Sequence, residues 1–103
     1  MKIIDAHIHY NPEEPYFQEI AEAAGYENTE AGLRWAFQEA GVVHGIVMGN
    51  RSLYPEDHQY PSGCSYCLGL DGRLLAQANP KEALALAEEN LRLDTCVGLK
   101  LYP

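Results

Sequence analysis

Val42-Val-His-Gly-Ile-Val-Met-Gly49 constrains the fold more than any other stretch of the chain. Apolar side chains occupy both its odd and its even positions, so as a strand it has no face to give to water. Strands of that kind sit inside parallel sheets, and the neighbouring segments suit such an arrangement. Residues 2–9 read as a short β-branched strand, stopped by the turn signal Asn11-Pro-Glu-Glu-Pro15. Phe17, Ile20, Ala21 and Ala24 then follow a helical period that Gly25 ends. Leu33, Ala36, Phe37 and Ala40 mark a second helix from near Glu30 to a terminator at Gly41.

Residues 50–63 hold two prolines and no period, and read as a long loop. Ser65–Leu70 reads as a third strand. Asp71-Gly72 could turn a hairpin into Arg73–Ala78, but a single strand is the preferred reading. Asn79 caps a last helix, with Pro80 in its first turn and Glu82 at the capping-box position; Leu84, Ala87 and Leu91 are its expected buried stripe. Thr95–Tyr102 reads as the fourth strand. Strands alternating with helical segments predict an α/β fold of parallel βαβ units in one domain over residues 1–103.

Charge narrows the partners. Fifteen acidic against seven basic residues give a net charge of −8, which argues against nucleic acid or an anionic membrane surface, since both bind basic patches. The apolar run after Lys2 breaks at Asp5, too soon for a signal peptide or a membrane span. Three cysteines, an odd count, do not form a disulfide framework and suit a reducing, cytoplasmic setting.

The chemistry concentrates at two strand ends. Strand alternation puts Asp5, His7 and His9 on one face, and ligands two residues apart can converge on one ion. Sites in parallel α/β folds form beyond the carboxyl ends of strands, where these histidines lie. A bare His-x-His also closes ordinary strands, so the pair stands as a candidate. Lys100, between Leu99 and Leu101, shares a face with Gly98 and Tyr102; it either snorkels to solvent or faces the same mouth as the histidines. In the loop after the second strand, Arg51 is a candidate for holding a substrate carboxylate, with Tyr54, His58 and Tyr60 as candidate pocket walls. Cys64-Ser-Tyr-Cys67 is a lone pair entering a strand, and reads as incidental thiols. Trp35, off the main stripe of its helix, suggests a second packing surface.

Ile4-Asp-Ala-His-Ile-His-Tyr10, followed at the chain's far end by Gly98-Leu-Lys-Leu-Tyr-Pro103, resembles the amidohydrolase superfamily of metal-dependent (β/α)8-barrel hydrolases. The resemblance runs through the whole chain in order and implies a partial TIM-type barrel, its first four parallel strands with intervening helices. It implies that His7 and His9 are metal ligands, that Lys100 is a candidate bridging ligand, and that the cofactor is a divalent metal, zinc first. The reaction implied is attack of metal-activated water on an amide, a lactone or a related bond of a small molecule, with decarboxylation as a variant. The family's later histidines, on the fifth and sixth strands, and its catalytic aspartate, on the eighth, have no counterpart here. His44 and His58 fall at other positions. The expectation is therefore an amino-terminal fragment or truncated product, inactive alone or active with a complementary half. Two other readings stay open: a non-catalytic α/β module that self-associates through exposed strand edges, and half of a phosphoesterase-like barrel, which also begins with His-x-His.

Overall fold

The computed structural model describes residues 1–101. It is an α/β fold: strand β1 (Ile3–Ile8), helices α1 (Pro15–Ala23) and α2 (Glu30–Ala40), strand β2 (Val42–Gly49), a 3-10 turn over Pro55–Asp57, strand β3 (Cys64–Leu70), helices α3 (Gly72–Ala76) and α4 (Pro80–Leu91), and strand β4 (Cys96–Leu101). The four strands form one sheet in the order β1-β2-β3-β4, every pair parallel. The expected last strand residue, Tyr102, lies outside the described residues.

Local chemistry sets the boundaries. The Thr29 side chain accepts a hydrogen bond from the Gly32 amide at the start of α2, and Gly41 ends that helix at φ 74°, a left-handed conformation that costs glycine little. Asn79 caps α4 by accepting from the Glu82 amide. The segment after β3 bears out the single strand and not the hairpin, and adds a short helix that the sequence reading does not foresee. Asp71 accepts from the amides of Arg73 and Leu74 and opens the short helix α3, so β3 ends without a hairpin. Those donors, the Leu74 amide first, hold the Asp71 carboxyl below the usual carboxylate range.

The core lies on one side of β2 and β3. Register pairs Gly45 with Cys64, Val47 with Tyr66 and Gly49 with Leu68, and neighbours paired in a sheet share a face. On this face Val47, Tyr66 and Leu68 are fully buried, packed with Ala87 of α4, with Phe37 and Leu33 of α2 alongside. Burying each of these large side chains is worth about 1.5–3 kcal/mol. The α4 stripe differs from expectation. Ala83, Ala87 and Asn90 are its buried residues, whereas Leu84 is 72% exposed and Leu91 also faces outward. Ala87 is buried as expected, and the rest of the stripe turns to Ala83 and to Asn90, a polar residue whose inward hydrogen bonds the apolar period does not register.

Asn90 is wholly buried and fully used. Its side-chain oxygen accepts from the Tyr66 hydroxyl at 2.6 Å, and its amide donates to the carbonyls of Leu53 and Leu86, both at 2.8 Å. One side chain thus ties α4 to β3 and to the loop after β2. The opposite side of the sheet carries His44, Ile46, Met48, Ser65 and Cys67, most of them only half-buried. Trp35 is exposed and lies against Tyr26, ring centroids 6.2 Å apart.

Candidate metal and substrate site

The His-x-His strand is not regular. Asp5 and Ile8, three residues apart, pair with Gly45 and Val47, two apart, so β1 carries a bulge. Ile8 is turned to the core side, close to Gly45 and Phe37. The bulge removes Asp5 from phase with the histidines; its carboxylate instead accepts a hydrogen bond from the His7 amide at 3.1 Å. The expected three-residue face of Asp5, His7 and His9 is therefore corrected to a pair. The imidazoles of His7 and His9 do stand side by side, edge to face, with centroids 5.2 Å apart. Two rings bound to one tetrahedral ion at about 2.0–2.1 Å through nitrogen have centroids about 5 Å apart. Both residues are exposed.

His9 opens onto a cleft of about 730 Å³ at the carboxyl ends of β1, β2 and β3. Asn11, Tyr16 and Phe17 line one wall, Met48, Asn50 and Arg51 the floor and Arg73, Leu74 and Gln77 of α3 the other wall. Arg51 thus shares a cleft with His9. Arg73 was missed by the sequence reading, because a hairpin was weighed there where Asp71 caps a helix. An Asp followed by two free amides and an apolar turn was the available signal. The cap seats α3 at the end of β3 and swings Arg73 to the mouth, 3.5 Å from the Asp71 carboxylate and still largely exposed. Two guanidiniums and one carboxylate, that of Glu14, line this cleft; the forked donors of the guanidiniums suit a carboxylate or phosphate there.

His58 and Tyr60 do not line this cleft. His58 is buried, its ring stacked on Tyr66 with centroids 4.7 Å apart. Its Nε2 lies 2.7 Å from the Ser52 carbonyl, which can only accept, so Nε2 carries the proton and Nδ1 accepts from the Tyr60 hydroxyl at 2.9 Å. Burial lowers the His58 pKa and pushes that of Tyr60 up to about 12. This is an anchor for the loop that carries Arg51. Gly49 makes room for it: a β-carbon there would sit 3.0 Å from two atoms of the His58 ring. Tyr54 lines a smaller cavity that also touches Arg51.

Lys100 pairs with Gly69, and Gly98 with Cys67, which places Lys100 on the sheet side opposite the core. It is half-buried there. It and the histidines occupy opposite edge strands, and three strand spacings of about 4.8 Å separate those edges. One copy of the sheet does not bring them to a common ion. Cys64 faces the core and Cys67 the other side, so the Cys-x-x-Cys pair cannot share a ligand; burial raises both thiols. Among the described residues no three His, Cys, Asp or Glu side chains converge as a metal site, and no helix is long and apolar enough to cross a membrane. The residues present fit two positions of a metal site and do not complete it. No family model, curated protein or solved structure matches the chain.

Proposed function

We propose that the chain forms part of a TIM-type barrel of a metal-dependent hydrolase resembling the amidohydrolases, with His7 and His9 as two ligands of a divalent ion, zinc by donor chemistry. The observation that carries this reading is the His7–His9 ring pair beside a cleft that also holds Arg51. A four-stranded parallel sheet with two open edges and one half-bare side supports the barrel part. When bound, the ion supplies Lewis acidity and activates water for attack on an amide, lactone or similar bond. The chain's own residues do the rest. His7 and His9 present their ring nitrogens side by side at the end of the bulged strand β1. Arg51 orients the substrate through a carboxylate, with Arg73 reinforcing it across the cleft. The same clamp suits a decarboxylation. Lys100 enters the site only if β4 is brought next to a histidine strand.

Isothermal titration of zinc into the chain and into His7→Ala/His9→Ala tests the metal. Heat is expected from the first and little from the second; identical isotherms would refute the two ligands. In the intact enzyme, cleavage of phosphate esters but not of amides or lactones would favour the phosphoesterase reading instead.

A further inference from the structure

We infer that the substrate of this cleft is an N-acylated α-amino acid with an apolar side chain, gripped by its carboxylate between two chambers; this rests on the reading of His7, His9 and Arg51 as one site. The first chamber is the cleft onto which His9 opens. A second cavity, of about 290 Å³, adjoins it, and Arg51, Leu74 and Gln77 line both. Arg51 is exposed at that boundary. An anion on its guanidinium therefore has open space on each side, towards His9 in one chamber and towards Leu86 in the other.

That placement selects a shape. A simple acid, with its carboxylate at one end, fills one chamber and leaves the other empty. An α-amino acid carries its nitrogen and its side chain on the carbon next to the carboxylate, so two arms diverge from the anchored group. With the acylated nitrogen in the histidine chamber, the side chain is left to the second. Hydrolysis of that amide adds water across its C–N bond and releases a carboxylic acid and the amino acid.

The second chamber suits an apolar arm. Leu53, Tyr54, Leu74, Ala78 and Leu86 wall it. The Asp57 carboxylate at its edge disfavours an acidic side chain and already accepts a hydrogen bond from the Ser52 hydroxyl. The walls are fixed from beneath. The buried Asn90 amide donates to the carbonyls of Leu53 and Leu86, and the His58 imidazole donates to that of Ser52. A chamber whose shape is set before the ligand arrives costs little to fill. It takes no part in bond breaking; it decides which side chain is accepted.

NMR titration of the full chain with N-acetyl-L-leucine, N-acetylglycine and Nα-acetyl-L-lysine tests the inference. N-acetyl-L-leucine should bind about tenfold or more tighter than either of the others. Arg51→Met should weaken all three, each by about tenfold. Ala78→Leu, which fills the second chamber, should bring the leucine ligand down to the glycine ligand and leave the latter unchanged. His7→Ala/His9→Ala should keep the preference, because the rings lie on the other side of Arg51. Equal affinity for the leucine and glycine ligands, tightest binding of the lysine ligand, or a leucine preference that survives Ala78→Leu overturns the inference, as does binding of none of the three. The ligand series on the unaltered chain decides the matter even if Ala78→Leu fails to fold. If zinc binds through His7 and His9 but no side-chain preference is found, this inference alone has failed. A preference found in a chain whose zinc isotherm ignores His7→Ala/His9→Ala refutes the metal reading alone.

Discussion

The centre of the sheet and its edges are built on opposite terms. Around β3 the buried polar side chains are tied to one another: Tyr66 donates to Asn90, Asn90 donates to Leu53 and Leu86, and His58 is held between Ser52 and Tyr60. At the edges, His7 and His9 stand exposed on a bulged strand, and apolar residues of β1 and β4 face water. Stability is concentrated where no chemistry is proposed, and the proposed chemistry sits where little stability is at stake. A ligand-binding edge drawn from the least stable part of a fold is expected on general grounds, since such residues must be free to reorganise.

The contrast can be broken most forcefully at Asn90. Asn90→Ala takes from the Tyr66 hydroxyl its acceptor and from the buried Leu53 carbonyl its donor, and should cost about 2–4 kcal/mol, read from the urea midpoint. Gly49→Ala comes next. Its new methyl meets the His58 ring and the Cys67 carbonyl, each 3.0 Å away, at a cost of about 1–3 kcal/mol by the same measurement. Acid provides a gentler test. The folded state keeps His58 neutral to a lower pH than the unfolded chain does, so the unfolded state binds more protons as pH falls below about 6.5. Stability should therefore decline between that pH and the lowered His58 pKa, and His58→Gln should lose less over the same range. A midpoint that falls equally in both proteins would assign the acid sensitivity to other groups. The smallest effect belongs to the edge: His7→Ala/His9→Ala should shift the urea midpoint by no more than about 0.5 kcal/mol while abolishing zinc binding. A large destabilisation there would show that the histidines are structural.

The sequence displayed the alternation of elements well, because it rests on local signals: the Asn79 cap with Pro80, the stop at Gly41 and the two-faced apolar strand Val42–Gly49. It concealed what depends on partners distant in the chain. Nothing near Asn90 announces that its amide will reach Leu53, and Leu84 and Leu91 look more buried by composition than an asparagine does. His58 and Tyr60 read as loop residues because the loop's inward fold has no period. The bulge in β1 is equally silent: it appears only when residues 5–8 are matched against β2, and it decides that Asp5 does not join the histidines. On the site itself, His9 and Arg51 were legible as members of one mouth, and the structure does set them on one cleft. Arg73 was hidden by an ambiguous Asp-Gly.

The empty space at Gly49 also limits the order in which this sequence could change. The His58 ring occupies the volume that a β-carbon at position 49 would need, so the two positions hold one side chain between them. A smaller residue at 58 eases a larger one at 49, although the Cys67 carbonyl, also 3.0 Å from that β-carbon, stays in place. A double-mutant cycle on Gly49→Ala and His58→Ala should return a coupling of favourable sign, the second substitution relieving part of what the first costs.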